Sequence, residues 1–289
     1  MPVATNNKSK STGFVDFITS LFNKGRKETI QTGQNETLDT QFASAIALLE
    51  SENSATRIVG AGELYLLANE QPGKYRNPVC EAFCTQIRTI TGDRDYQDRY
   101  MEHPSKEIET LLGFLFKKTS DKASVFDACK KNLRETFLQG ANFFNAKLSD
   151  IDFRKTILNN VNFFGAALRE VDFSEAKLND INFSSASLYK VNFWDAKLLD
   201  INFFYAEIKE SKFWDARLNK LKFSEATLSD VNFEYAKLNR VDFHGAKLSR
   251  IDFSDAYLEK DINFDRTLLE HYSYEEIRRA GCSFEVTKA

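Results

Sequence analysis

The sequence predicts an α+β protein with several domains, in which a long repeat array follows an α-helical region. From Leu133 to Leu258 an apolar residue returns at every fifth position without a slip. From residue 38 to about residue 131, apolar residues instead recur every three or four positions, which is typical of helices. The length of 289 residues allows two domains. Internal repetition takes priority over local propensity, so the array dominates the interpretation.

The array is built from a ten-residue unit. Leucine and phenylalanine alternate at the repeat centres, and the residue two positions earlier alternates with them. Alanine precedes leucine, as in Ala196 and Leu198, whereas valine or isoleucine precedes phenylalanine, as in Ile201 and Phe203. A period of five fits neither a helix, with 3.6 residues per turn, nor a strand, with its period of two.

The repeated unit resembles the motif of the pentapeptide-repeat family: a small residue, then Asn or Asp, then Leu or Phe, then two variable residues. Copies of it are Ala141-Asn-Phe, Val161-Asn-Phe, Ile181-Asn-Phe, Val231-Asn-Phe and Val241-Asp-Phe. The resemblance covers nearly half of the chain. It implies a right-handed quadrilateral β-helix, a pentapeptide-repeat solenoid, over residues 132–265, in which four pentapeptides form one coil of about twenty residues.

A coil of that length gives the alternation a physical meaning, because positions twenty apart then stack in columns. Each coil would bury two Phe, two Leu, two Ala and two Val or Ile, which is the constant volume that close packing requires. After Leu258 the register slips by one residue at Glu259-Lys260-Asp261, and the pattern resumes at Phe264.

The region 38–131 is predicted to form an α-helical domain of five helices. The predicted starts are a first helix around Phe42, a second capped by Ser54, a third opened by Asn77-Pro78, a fourth opened by Pro104, and a fifth capped by Ser120 that contains Val125, Phe126 and Cys129. The stretch from Phe42 to Arg88 also resembles a helical region that precedes the repeats in some bacterial members of the family, which implies a bacterial origin.

Both ends of the chain lie outside these two regions. Residues 1–37 are polar and are predicted to be mostly disordered, apart from an amphipathic segment at 14–22. That segment is a candidate membrane-surface anchor or docking helix, or it folds back onto the next domain. Its apolar face would consist of Phe14, Phe17, Ile18, Leu21 and Phe22. Residues 266–289 are predicted to form a C-terminal cap with a short helix from Tyr274 to Ala280, or a homodimer contact.

The composition offers no pattern for catalysis, cofactor binding or a metal. The three histidines lie far apart in sequence, and the four cysteines show no disulfide framework, which suits the reducing cytosol. No apolar run reaches the roughly 20 residues of a transmembrane helix. A formal charge of −3 and a pI near 5.8 disfavour direct binding of nucleic acid. The sequence therefore predicts a protein that is not an enzyme.

Large aromatic residues placed just after the repeat centres cannot point into the interior of the solenoid. Exposed Trp and Tyr residues of this kind mark partner surfaces, unless they only shield the backbone turns or are covered by the N-terminal helices. The partner-binding candidates are Trp194, Trp214, Phe144, Phe164, Phe204, Tyr189, Tyr205 and Tyr235.

These observations predict a cytoplasmic, non-enzymatic scaffold that binds an unidentified protein partner through the outer faces of the solenoid. The resemblance implies one alternative, since the best-known activity of the family is protection of DNA gyrase by DNA mimicry. Such mimicry requires a strongly anionic surface, whereas Lys and Arg nearly balance Asp and Glu along this array. A secreted effector and a membrane-peripheral adaptor attached through residues 14–22 are two further alternatives.

Overall fold

The computed structural model describes residues 37–116 and 124–270. The chain divides into two compact units. The first unit runs to Ile87 and also includes Ser105–Cys129, whereas the second contains Arg88–Pro104 and continues from Lys130. The predicted segment at 14–22 and the predicted helix from Tyr274 to Ala280 lie outside the described residues.

The described residues contain five α-helices. They are α1 Leu38–Leu49, α2 Ser54–Glu70, α3 Pro72–Gly92, α4 Arg94–Arg99 and α5 Lys106–Phe116. Polar side chains cap the first turns of α1, α2, α4 and α5, because the first backbone N–H groups of a helix lack a partner within it. Asn53 Oδ1 accepts a hydrogen bond from Thr56 N at 3.1 Å, and Asp93 Oδ1 accepts one from Tyr96 N at 3.1 Å. None of these helices has the length and the apolar character needed to cross a bilayer.

Several predicted helix boundaries were wrong. Helix α3 begins at Pro72, in the first position, where proline's missing N–H costs nothing, and Pro78 lies inside the helix. The caps of α2 and α5 are Asn53 and Ser105, next to the predicted Ser54 and Pro104.

Two further differences concern short segments. Residues 125–128 form a turn and no helix, and helix α4 was not predicted. Six residues are too few to show a helical period of apolar positions.

Aromatic rings and one ion pair organise the first unit. Tyr65 stacks on Phe114 at 4.6 Å between ring centroids, and Phe83 lies 5.9 Å from both Phe114 and Phe126. Helices α1 and α2 also cross closely at Gly60, where an added Cβ would lie 2.6 Å from Leu49 N. The small glycine therefore permits the contact between the two helix backbones.

The ion pair joins α2 to α5. Arg57 Nε donates to Glu107 Oε1 at 2.6 Å, and Arg57 Nη2 donates to Glu107 Oε2 at 2.7 Å. The same guanidinium donates to the carbonyl oxygens of Ser51 and Glu52, each at 2.8 Å. Its hydrogen bonds to Glu107 raise the pKa of Arg57 above its ordinary value. The pair therefore fixes the start of α2 against α5.

The second unit is a parallel β-solenoid. Its described strands are β1 Lys131–Asn132, β2 Phe137–Gln139, β3 Lys147–Ser149, β4 Ile151–Asp152, β5 Ile157–Asn162, β6 Ala167–Arg169, β7 Lys177–Asn182, β8 Ser187–Tyr189, β9 Lys197–Asn202, β10 Glu207–Lys209, β11 Arg217–Lys222, β12 Thr227–Asn232, β13 Lys237–Asp242, β14 Lys247–Asp252, β15 Tyr257–Leu258 and β16 Leu268–Glu270.

The strands form sheets that run along the stack of coils. One sheet has the order β2-β5-β7-β9-β11-β13-β15, a second has the order β3-β6-β8-β10-β12-β14-β16, and β1 pairs with β4. In the regular coils a strand residue pairs with the residue twenty positions later, as Leu178 does with Leu198. The predicted solenoid and its coil of twenty residues are thereby confirmed. Its right hand and its four-sided cross-section stay predictions.

The interior consists of the predicted apolar columns. Phe183 and Phe203 stack at 5.0 Å with their planes 3° apart, whereas Phe193 and Phe203, from different columns, meet edge to face at 6.5 Å. Both geometries are favourable for aromatic rings. All the phenylalanine centres from Phe143 to Phe253 are at most 2% exposed, so the core is filled by side chains.

The predicted slip of one residue after Leu258 is confirmed. Strand β14 pairs with β16 so that Lys247 lies beside Leu268, one residue beyond the usual interval. Phe264 nevertheless continues the column of Phe243 and is 2% exposed. The extra residue is therefore accommodated outside the core.

Candidate interaction surface

A turn follows each repeat centre and presents the outward side chains. The second residue after a centre adopts a left-handed backbone, as at Asp195, where φ is 49°, and Asp215, where φ is 55°. An Asn or Asp side chain often closes the turn after a phenylalanine centre. For example, Asn192 Oδ1 accepts a hydrogen bond from Trp194 N at 3.2 Å. The backbone that carries an outward aromatic residue is therefore fixed by local hydrogen bonds.

Three of the candidate residues form one continuous cluster, which we call the Trp ladder: Trp194, Trp214 and Tyr235. The two indole rings stack at 6.0 Å with an interplanar angle of 17°, and Trp214 meets Tyr235 edge to face at 6.3 Å. Trp194 and Trp214 remain 38% and 39% exposed. Three successive coils thus present a continuous aromatic surface to solvent.

The remaining candidates form separate, smaller groups. Phe144 stacks on Phe164 at 5.6 Å, and Phe204 meets Tyr205 edge to face at 4.3 Å. Tyr189 is half-buried and instead receives two cations on its ring. Arg169 and Lys190 lie 5.3 Å and 5.1 Å from the ring centroid. The structure therefore brings together Trp194, Trp214 and Tyr235, but not all eight candidates.

Tyr235 occupies a position that disfavours it. Its φ is 58°, in the left-handed region where Gly, Asn and Asp are preferred and a bulky residue is strained. The nearby carboxylates of Asp255 and Glu234 raise its pKa above the ordinary value, which keeps the hydroxyl protonated. The same left-handed backbone recurs at this position throughout the repeats, so the repeat sets the conformation and presents the Tyr235 ring to solvent.

A second feature of this surface was missed in the sequence and is visible once the strand register is known. The position just before the leucine centre holds a cation in four consecutive coils: Lys177, Lys197, Arg217 and Lys237. All four side chains are exposed, and we call this column the basic ladder. Comparing positions twenty apart could have found it.

The basic ladder lies next to the Trp ladder in the chain. Lys197 follows Trp194 by three residues across one turn, and Arg217 follows Trp214 in the same way. Leu199, on the same strand as Lys197, is 40% exposed in a column where its neighbours Asn179 and Asn219 are polar. Aromatic, aliphatic and cationic groups therefore occur side by side on these coils.

The described residues contain no group of three or more His, Cys, Asp or Glu side chains that could hold a metal ion. Within the same part of the chain, Cys80, Cys84 and Cys129 are buried and not disulfide-bonded. The surface described above is consequently the candidate site that the geometry supports best.

The fold and this surface define a class, a β-solenoid repeat protein whose filled core leaves its outer faces for contacts. The family model described as "Pentapeptide repeat region" matches residues 136–213 and 186–274. Together with the five-residue period and the twenty-residue coil, this match shows that residues 136–274 belong to the pentapeptide repeat family.

Three solved structures illustrate what the chain is similar to. HetL, a pentapeptide repeat protein involved in heterocyst differentiation regulation from Nostoc sp. strain PCC 7120, is 21% identical over 48% of this chain and 89% of its own, with a TM-score of 0.23. Rfr23 from Cyanothece 51142 is 16% identical over 45% and 91%, with a TM-score of 0.29. Full-length QnrB1, a plasmid-mediated fluoroquinolone resistance protein, is 14% identical over 50% and 97%, with a TM-score of 0.17. No curated protein matches significantly.

Proposed function

We propose that this protein is a non-enzymatic interaction scaffold that binds a protein partner through the Trp ladder. The observation that carries this proposal is the stacked pair Trp194 and Trp214, exposed on adjacent coils and extended by Tyr235. Trp and Tyr are enriched among the residues that dominate binding energy at protein interfaces.

Rigidity supports the same proposal. Ordering a flexible side chain on binding costs roughly 0.5–1.5 kcal/mol. In the Trp ladder this cost is reduced, because each indole packs against its neighbour and the backbone of Trp194 is held by Asn192. A preordered aromatic surface favours a folded partner with a complementary apolar face.

The test is capture of the partner by the full-length protein from an extract of its native host, compared with the double variant Trp194→Ser and Trp214→Ser. Serine suits this position, because Ser174 and Ser254 occupy the same column in other coils and retain the turn. Circular dichroism should therefore stay unchanged while capture is lost.

A matched control separates the Trp ladder from exposed aromatic surface in general. Phe144→Ser with Phe164→Ser removes the other stacked pair and should leave capture unchanged. Full capture by the folded tryptophan variant would contradict the proposal, and so would equal loss in both double variants.

Gyrase binding by DNA mimicry is the alternative that family membership suggests. A DNA mimic needs a continuous anionic surface, whereas this solenoid carries an exposed column of cations at Lys177, Lys197, Arg217 and Lys237. A supercoiling assay with purified gyrase decides between the two: protection of the enzyme from a fluoroquinolone would favour mimicry.

Attachment to a membrane is tested by fractionating cells that produce the protein with or without residues 1–30.

A further inference from the structure

Several cations on this solenoid are compensated by an acid in the neighbouring coil. The nitrogen–oxygen distances are 3.4 Å for Lys155 and Glu175, 3.7 Å for Lys190 and Glu210, 3.9 Å for Lys220 and Asp200, and 2.5 Å for Arg250 and Asp230. In each pair the partners are twenty residues apart. Strand register thus places opposite charges side by side in these columns.

The basic ladder has a different arrangement from these columns. Its four cations follow one another with no acid in the column, so that like charges lie about one strand spacing, about 4.8 Å, apart at the backbone. Among the described residues none of the four makes an ion pair within 4.0 Å. Repulsion between adjacent like charges opposes folding, so the charges of the basic ladder do not stabilise the solenoid.

The spacing of the ladder matches one kind of ligand. Four cations on successive coils span about 14 Å along the stack, one charge every 4.8 Å or so. An α-helix lying along the stack advances about 5.4 Å per turn and falls out of step by only about 2 Å over three steps. An extended strand repeats a face about every 6.7 Å and falls out of step by about 6 Å. Flexible Lys and Arg side chains can absorb the first mismatch but not the second.

We infer that the partner presents an acidic, amphipathic α-helix, which lies along the stack of coils. Carboxylates at one-turn intervals contact Lys177, Lys197, Arg217 and Lys237, and an adjoining apolar stripe covers the Trp ladder. This inference rests on the proposed function and adds the chemistry of the partner.

Two acids within the site provide a second test of the inference. Asp195 and Asp215 lie in the turns between the two ladders, and neither makes an ion pair within 4.0 Å among the described residues. They reduce the attraction for an acidic helix. Asp195→Asn with Asp215→Asn should therefore strengthen the binding of such a helix by roughly threefold.

The experiment uses the full chain and a synthetic, helix-constrained peptide of about 15 residues, with Glu at one-turn intervals and a flanking Leu stripe. Trp194 and Trp214 are the only tryptophans in the chain, so selectively excited tryptophan fluorescence reports on this surface alone. We expect saturable binding that weakens as salt is raised, and roughly tenfold weaker binding by Lys197→Gln with Arg217→Gln. A peptide with Gln in place of Glu should bind as weakly.

The matched control is Lys190→Gln with Lys209→Gln, which removes two positive charges that already pair with Glu210 and Glu207. Its affinity should stay within about twofold of the wild type. If both double variants weakened peptide binding equally, the loss would reflect only the change in net charge, and the inference would be overturned. The inference would also be overturned if the protein bound single-stranded DNA or RNA instead of the peptide and the double variant Lys197→Gln with Arg217→Gln lost that binding. The ligand of the basic ladder would then be a nucleic acid.

Failure of this inference can be distinguished from failure of the proposed function. If capture of the native partner requires Trp194 and Trp214 but is unaffected by Lys197→Gln with Arg217→Gln, the interaction scaffold stands and the acidic helix is wrong. If capture survives loss of both tryptophans, the proposed function itself is wrong.

Discussion

Phe243 and Phe264 stack with ring centroids 5.0 Å apart and planes 2° apart, although one residue more than a full coil separates them. The stack of rings is therefore maintained across an irregularity of the chain. The extra residue lies between Leu258 and Asp261, where the left-handed position occurs one residue later than the five-residue period requires.

Deleting Lys260 should thus be tolerated. The deletion restores the regular interval and changes the free energy of unfolding by less than about 1 kcal/mol, because no core side chain moves. Deleting Lys220, two coils earlier in the same column, shortens a coil that is paired on both sides and should lower the melting temperature clearly. Thermal unfolding measures both. Equal losses would show that the extra residue is required.

Gly140 is predicted to be intolerant of a side chain. Its φ is 65°, and an added Cβ would clash with the carbonyl oxygen of Glu102 in the same unit. Gly140→Ala should cost about 2–3 kcal/mol of the free energy of unfolding, from backbone strain and the clash. Gly73→Ala is the control, since its Cβ meets nothing within 4 Å. Urea denaturation should show that this second variant is neutral or slightly stabilised.

The Asn192 side chain should matter for the presentation of Trp194. Asn192→Ala removes its hydrogen bond to Trp194 N and those that its amide donates to Ser174 and Asp172, and should cost about 1–3 kcal/mol, with a shift in tryptophan emission. The converse variant is Lys212→Asn, because Lys212 stands at the equivalent position before Trp214. It should gain a turn-closing hydrogen bond and about 0.5–1 kcal/mol. Destabilisation by Lys212→Asn would refute this account of the turn.

Glu107 should be indispensable to the first unit. It is 3% exposed and paired with Arg57, so Glu107→Ala leaves an uncompensated guanidinium and should cost about 3–5 kcal/mol. Glu109→Ala removes an acid from the same helix whose partner, Lys106, is exposed, and should cost less than about 1 kcal/mol. Chemical denaturation compares the two variants. Similar losses would show that the buried pair contributes little.

The pair of Asp230 and Arg250 predicts a dependence of stability on pH. Hydrogen bonds from Arg250 lower the pKa of Asp230 to about 2 in the folded protein, whereas an unfolded Asp titrates near about 3.9. The stabilisation is therefore present above about pH 4 and lost as the pH falls toward 2. Both side chains are about half exposed, so it amounts to less than about 1 kcal/mol.

Asp230→Asn tests this dependence. Between about pH 5 and pH 2.5 the variant should lose less of its free energy of unfolding than the wild type does, because the shifted carboxyl is gone. An identical pH dependence in both proteins would show that Arg250 does not stabilise the carboxylate.

The solenoid could be predicted from the sequence because one physical constraint repeats in every coil. Each coil must fill the same interior, so Phe203, Leu198 and their counterparts recur at fixed intervals, and even the slip before Phe264 was visible. The helical region has no repeated pattern of this kind, so each helix boundary had to be predicted from a few residues. Pro78 suggested a helix start because proline favours first positions, but the helix already begins at Pro72.

The candidate site was predicted in part, for a related reason. Trp194 and Trp214 were conspicuous as large residues at outward positions, and their stacking followed from the coil length. The basic ladder was missed because each of its members is an ordinary surface cation, and only register places Lys197 beside Arg217. The pair Arg57–Glu107 likewise depends on a tertiary contact between helices that are distant in sequence.

The backbone ladders that join each coil to the next have a consequence for how such a surface diversifies. Outward positions are located by main-chain pairing and a shared interior, not by their own side chains. A substitution at Lys197 or Trp214 therefore changes the side chain at one position and leaves the positions of the neighbouring outward side chains unchanged. New recognition surfaces can therefore arise by single outward substitutions, because the core and the backbone pairing of the solenoid stay the same.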